Sequence, residues 1–369
     1  MKFLDCIQIS PPVSLVKGKI YSFIEMANVS TVFREPDYID VKAFSSGTKF
    51  EDGDTVIARI EPCLQNGKRF FVKGIGKGFG STEFLVFRPK TIDVDNKYLY
   101  YFMKTEYIQQ LMVSSMTGAT GRQRVNNDIF SDLEISLPDL PIQRRIASIL
   151  SAYDDLIENN RRQIKLLEEA AQRLYREWFV ELRFPGHEGV KVVDGVPEGW
   201  KKVCLKDICE TKTGKKDANF GCDDGAYPFF TCAQAPIKAP SYSFDCSAVI
   251  LAGNGDFNVK LYRGKFEAYQ RTYVLSPANT EYLFLLYNAV SRNMNVLTKG
   301  ASGSTIKFLT KGMIDSIELL IPSSQLLTTY NQNSEALQKS IEALHRKVAL
   351  AVEARDRLLP KLMNSEMEI

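Results

Sequence analysis

The chain has 369 residues, 44% of them apolar and 25% charged, with a formal net charge of +3 at pH 7. That is the composition of a soluble folded protein long enough for two ordinary domains. No apolar run approaches the roughly 20 residues needed to cross a bilayer, the N-terminus has no signal-peptide hydrophobic region, and seven cysteines without export signals predict reduced thiols in a cytoplasm.

Residues 1 to about 137 read as a mixed, strand-rich domain. Residues 55–60 are β-branched and follow the turn Glu51-Asp-Gly-Asp54, so they predict a strand. Residues 69–72 and 84–87 are two more strand candidates, and the glycines from Gly74 to Gly80 predict a turn between them. Residues 98–112 carry an amphipathic set, Leu99, Phe102, Met103, Ile108 and Met112, and predict one helix. A glycine-rich basic loop follows, Gly118-Ala-Thr-Gly-Arg-Gln-Arg124, then an apolar segment, residues 133–137, closed by Pro138 and Pro141.

A long helix is expected just after Pro141, since proline is tolerated at a helix start. Read with a period of seven, Leu150, Ile157, Ile164, Ala171 and Trp178 alternate with Tyr153, Asn160, Leu167 and Leu174, with charged residues between. This is a heptad seam that buries one narrow stripe against a partner helix. Asn160 on that seam either sets its register or lies solvated near its end. Residues 184–189 break the helix, and Pro197-Glu-Gly-Trp200 opens a second globular half with strand candidates at 248–251 and 272–275 and a helix candidate at 282–290.

The second half repeats the first. Moved on by about 184 residues, the seam falls on Ser334, Leu337, Ile341, Leu344, Val348, Ala351, Arg355, Leu358 and Leu362, all apolar except Ser334 and Arg355. Gly300-Ala-Ser-Gly303 echoes Gly118-Ala-Thr-Gly121, and Ile321-Pro322 echoes Leu137-Pro138. A period this long fits a duplicated domain better than a solenoid. The predicted fold is therefore α+β: two mixed α/β domains separated by an antiparallel coiled coil of two long helices, with a pseudo-twofold internal repeat. About 30 helical residues span roughly 45 Å, and B-DNA repeats every 34–36 Å, so such a pair has the length to hold two readers about one turn apart.

These segments together resemble a specificity (HsdS-type) subunit of a type I restriction–modification system. The matching residues are Gly53-Asp-Thr-Val-Ile-Ala-Arg59, Gly80-Ser-Thr-Glu-Phe-Leu-Val-Phe87, Tyr98-Leu-Tyr-Tyr101 and Thr117-Gly-Ala-Thr-Gly121 with Arg124. They continue through Leu137-Pro-Asp-Leu-Pro-Ile-Gln-Arg-Arg-Ile146 and Leu156-Ile-Glu-Asn-Asn160 to Trp178-Phe179. The second copy departs at Pro322-Ser-Ser-Gln325, which lacks the second proline and brings its glutamine two residues nearer. The resemblance implies target-recognition domains at residues 1–137 and 185–322, a central conserved helix at 138–184 and a distal one at 323–369. It also implies a non-catalytic subunit that reads a split sequence in double-stranded DNA. Two modification subunits carrying S-adenosylmethionine would methylate adenine, and a restriction subunit would join for cleavage. The alternatives are a coiled-coil scaffold for protein assembly or, further off, a stand-alone DNA methyltransferase.

Candidate contacts with DNA are Arg122, Gln123 and Arg124 in the first loop and Ser304, Thr305 and Lys307 in its counterpart, since arginine can bond guanine and glutamine adenine. Lys68, Arg69, Lys73 and Lys77, and in the second half Lys212, Lys215 and Lys216, form basic clusters suited to phosphate; Asn254, Asn258 and Lys260 form a further candidate loop. A solvated turn or isolated surface lysines are the competing reading of each. No catalytic set is visible. The Gly74–Gly80 run lacks the Gly-Lys-Ser/Thr ending of a phosphate loop, Ser10-Pro-Pro-Val13 lacks the amide or carboxylate of the adenine-methyltransferase motif, and the cysteines between Cys204 and Cys246 lack zinc-ligand spacing.

Overall fold

The computed structural model describes residues 1–301 and 307–364. They fold as two compact units, one formed by Met1–Ile164 with Ala343–Ile369 and the other by Lys165–Glu342. Two helices, Leu140–Phe179 (the central helix) and Ser324–Met363 (the distal helix), each contribute one stretch to each unit.

In the first unit, one antiparallel sheet has the order Ile7–Ile9, Phe84–Pro89, Thr55–Ala58, Arg69–Phe71. A second sheet has the order Asp40–Ala43, Ile20–Ile24, Lys77–Gly80, Thr48–Glu51, with its middle pair parallel. Thr55–Ala58 is buried throughout because it has apolar layers on both faces. Val56 joins Ile24, Phe50, Phe70 and Phe84 on one side, while Ile57 joins Phe3, Leu85, Leu99 and Phe130 on the other. The glycine run is only half a turn: Gly74 and Gly76 take positive φ, but Lys77–Gly80 is a strand. Its glycines are needed there, because a Cβ on Gly80 would lie 2.5 Å from the Ile24 carbonyl oxygen.

The single helix expected over 98–112 is two helices, Asn96–Phe102 and Glu106–Ser114. The carbonyl of Met103, which a continuous helix would offer to Tyr107, instead accepts from the Arg69 guanidinium at 2.6 Å. The Thr105 hydroxyl bonds back to the Phe102 carbonyl at 2.7 Å, which favours a new start at that position.

The second unit carries one six-stranded sheet in the order Cys209–Thr213, Thr272–Pro277, Phe244–Ala252, Val259–Ala268, Tyr227–Phe230, Ile237–Ala239. Its strands at 244–252 and 272–277 contain the two strand candidates, and Val259–Ala268 adds a ten-residue strand that had no clear signal in the sequence. The expected helix is longer than its apolar pattern indicated, Leu283–Lys299. It packs with Val249, Leu251 and Leu275 in the largest core.

Both seams are buried as the heptads require. Leu150, Ile157, Asn160, Ile164 and Trp178 are buried on the central helix, with Tyr153, Leu167 and Leu174 half-buried; Ile341, Leu344, Val348 and Leu362 are buried on the distal helix, with Leu337 and Leu358 half-buried. In the first unit Ile146, Ala147 and Leu150 pack with Leu359 and Leu362. In the second, Trp178 and Phe179 meet Tyr330 at ring-centroid distances of 5.8 and 4.8 Å. The start of each helix thus meets the end of the other, which is antiparallel pairing. Asn160 is not solvated: it is 3% exposed and its Nδ2 has no partner among the described residues. The central helix starts at Leu140, one residue before Pro141 and slightly earlier than expected. Gln143 anchors this start, donating to the carbonyls of Asp93 and Pro138 and accepting from the Asp95 N–H. Gln325, its displaced counterpart, is exposed.

Candidate nucleic-acid interface

The loop at 118–123 joins the two strands of a short hairpin, Met116–Thr117 and Arg124–Val125. Gly118 and Gly121 take positive φ, and the Arg122 N–H bonds the Ala119 carbonyl at 2.9 Å, closing a tight turn. The turn is held from below: Gly121 N–H donates to Glu61 Oε2 at 2.9 Å, and Glu61 N–H donates to the Gln123 carbonyl at 3.0 Å. Arg122 is exposed, and its guanidinium makes no hydrogen bond or ion pair among the described residues. Gln123 is half-buried with its side-chain amide unengaged among them.

Arg124 behaves differently from its neighbour. Its guanidinium forks onto both oxygens of Glu83 at 2.7–3.1 Å, and this hydrogen bonding holds the Glu83 carboxyl below its usual range. The pair cancels its own charge, so Arg124 fixes the hairpin's edge while Arg122 is the residue that presents a free cation.

The basic clusters divide in the same way. Arg69, expected among the phosphate contacts, is corrected to a structural role: it is 6% exposed, and its guanidinium donates to the Met103 and Gly67 carbonyls and to Gln109 Oε1. Burial draws its pKa down. Lys68 is half-buried and donates to the Met26 carbonyl at 2.8 Å. Lys73 pairs with Asp155 at 3.3 Å, and Lys77 is exposed at the end of its strand. In the second unit Lys212 pairs with Glu210, Lys215 is exposed, and Lys216 lies 4.2 Å from the centroid of the Phe220 ring.

Asn254, Asn258 and Lys260 face inward and brace a turn. Asn254 accepts from the Cys232 thiol, Asn258 donates to the Cys232 carbonyl at 3.0 Å, and Lys260 donates to the Ala233 carbonyl at 2.8 Å. Burial lowers the pKa of Lys260. Gln234, exposed on the same turn, donates to Asp256 at 2.8 Å. Lys307 is exposed, whereas Ser304 and Thr305 lie outside the described residues.

Two further lysine or arginine clusters were missed, each partly neutralised: Lys42 pairs with Glu25 at 2.8 Å and Asp40 at 3.2 Å, and Arg176 with Glu181 at 3.3 Å. On the second sheet of the first unit, Lys42 lies 4.1 Å from the Phe23 ring, Lys49 5.1 Å from Phe44 and Lys19 5.9 Å from Tyr21. The alternation Lys19, Tyr21, Phe23 was visible in the sequence; it places Tyr21 and Phe23 on one face of the strand Ile20–Ile24, with Lys19 just before its start. In the second unit, Arg173 and Arg176 of the central helix and Arg292 of the Leu283–Lys299 helix line a groove of about 460 Å³. Helical spacing of i and i+3 within the central helix was the available signal.

A family model described as the type I restriction modification DNA specificity domain matches the chain twice, over residues 16–169 and 197–353. The chain is 39% identical over 178 residues to the type I restriction enzyme EcoDI specificity subunit of Escherichia coli, covering 47% of this chain but only 39% of that protein. It is 23% identical over 303 residues to the MjaIX specificity subunit of Methanocaldococcus jannaschii, covering 75% of this chain and 70% of that one. A crystal structure of a type I restriction–modification S subunit from M. genitalium shares the fold, with a TM-score of 0.60 at 15% identity over 98% of this chain and 95% of that chain.

Proposed function

From the premise that this chain belongs to the type I restriction–modification DNA specificity family, we propose that it reads a bipartite sequence in double-stranded DNA, each unit reading one part. The observation that carries this reading is the occurrence of the family domain twice in one chain, each copy joined to a long helix that pairs with the other. Arg122, held outward on a braced turn, suits direct contact with guanine or phosphate. Lys77, Lys215, Lys307 and the lysine–aromatic sheet suit phosphate contacts that position the reader without specifying sequence.

In this reading the chain performs no catalytic step. Two modification subunits dock on it and methylate adenine with S-adenosylmethionine held by them, a restriction subunit joins for cleavage, and the complex works in the cytoplasm. Among the described residues no helix is long and apolar enough to cross a membrane. The test is a genome-wide map of methylated adenines in cells expressing the chain with its methyltransferase, against cells lacking only this chain. Two short sequences around a fixed gap, methylated only when the chain is present, are expected. Unchanged methylation from an assembled complex would favour the scaffold reading.

A further inference from the structure

One loop, residues 29–37, joins strand Ile20–Ile24 to strand Asp40–Ala43 and is gripped by both long helices within the first unit. Arg34 forks onto Glu158 at 2.6 and 2.8 Å and reaches Asp155 at 2.7 Å, with both its own side chain and that of Glu158 at most 3% exposed. Arg161 stacks 3.8 Å from the Phe33 ring centroid and bonds Asp37 at 2.5 Å, and Arg162 bonds Glu35 at 3.1 Å. From the distal helix, Arg355 donates to the Val32 carbonyl at 3.0 Å and to Asp154 at 2.6 Å. Asp154 accepts in turn from the Tyr101 hydroxyl at 2.5 Å. Lys104 closes the set on Asp356, which also receives the Arg355 guanidinium.

The repeat shows that the fold does not require this network. In the register of the repeated helices Tyr101, Asp154 and Arg355 correspond to Leu285, Gln338 and Ala171, while Glu158 corresponds to Glu342. Among the described residues Gln338 at that level bonds only along its own helix, to Glu342 at 3.0 Å, and the second unit's sheet meets the distal helix through a partly exposed pair, Arg263 with Glu335. Buried ion networks generally contribute little stability over well-packed apolar replacements, and the attested use of some of them is to select one geometry. Planar guanidinium forks and a short hydroxyl–carboxylate bond are directional where apolar packing is not.

We propose that Arg34, Tyr101, Asp154, Glu158 and Arg355 are positioning residues for target recognition: they lock the first reading domain in a single orientation on the helix pair and so set the gap at which its half-site is read. The proposal rests on the reading of the chain as a bipartite DNA specificity subunit. None of the five contacts DNA; they act through the loop at 29–37 and the lysine–aromatic sheet attached to it.

The test maps methylated adenines with the full complex carrying either Tyr101→Phe/Asp154→Leu/Arg355→Met or Arg34→Gln/Glu158→Gln, substitutions that remove the partners together. Both half-site sequences are expected to persist, while discrimination against targets whose gap differs by one base pair falls about tenfold, the scale carried by one position of a specific site. A gap preference equal to that of the unaltered chain overturns the proposal, as does equal loosening by Arg263→Ala, which would make the effect one of general destabilisation. Tyr101→Phe alone keeps every charge and decides the matter if the larger variants do not fold, with relaxation of the gap expected and an unaltered gap refuting it. Absence of any split motif with the unaltered chain would instead remove the underlying functional reading.

Discussion

Replacing Arg69 by alanine strips the Met103 and Gly67 carbonyls and Gln109 of their shared donor inside the first unit. A cost of about 2–3 kcal/mol is expected in denaturant unfolding of the full chain, the scale of buried acceptors left unmade. Arg122→Ala removes a side chain with no partner among the described residues and should leave stability within about 0.5 kcal/mol. Its effect should appear in DNA binding by the assembled complex: a phosphate role lowers the salt slope by about one, and a guanine role relaxes specificity at one position. The pair shows why sites are harder to read than folds. Both arginines follow a glycine within two residues in basic stretches, and what buries Arg69 is a carbonyl freed by a helix break far along the chain, at Met103. Sequence spacing does not report that contact. The same holds for Asn254, Asn258 and Lys260, whose residue types suit base recognition but whose side chains close on the turn at Cys232.

At the level of elements, the seams were legible because a heptad is a local pattern with one geometrical meaning. Leu150, Ile157 and Ile164 needed no knowledge of their partner to be placed on a buried face. The break at 103–105 and the strand at 77–80 were not legible, because each depends on what approaches from elsewhere: Arg69 in one case, the Ile24 carbonyl in the other. Arg355 was, with Ser334, a polar exception in the distal seam, and its environment accounts for it. The neighbouring Asp356 carboxyl loses solvation but gains the Arg355 and Lys104 cations, which hold it below the usual carboxylate range. A carboxyl depressed by folding contributes stability above its unfolded value, about 3.9, and loses it as pH falls through the lower folded value. Asp356→Asn should therefore lower stability at neutral pH by about 1 kcal/mol, allowing for screening of a half-exposed group. The difference should close below about pH 4, as followed by thermal unfolding of both chains across the acid range. In the second unit Tyr330→Phe removes the hydroxyl that accepts from Asn288 at 3.0 Å and should cost about 1 kcal/mol in the same assay.

For the whole molecule, duplication was legible and divergence was not. The helices and the motifs beside them repeat, yet the first unit carries two four-stranded sheets where the second carries one of six strands. On the proposed bipartite reading, surfaces built on different sheets are expected to recognise unrelated half-sites, and a methylation map showing an inverted repeat would contradict that. The composition of the units also orders their making. The second unit is one continuous stretch, Lys165–Glu342, whereas the first waits for Ala343–Ile369. At 5–20 residues per second, the 201 residues that separate Asp154 from Arg355 occupy the ribosome for roughly 10–40 seconds. Throughout that interval Asp154 lacks Arg355, and Ile146 and Leu150 lack Leu359 and Leu362. A chain ending at Glu342 would accordingly deliver a finished second unit and an unfinished first one, with a bare apolar stripe for chaperones and proteases to find.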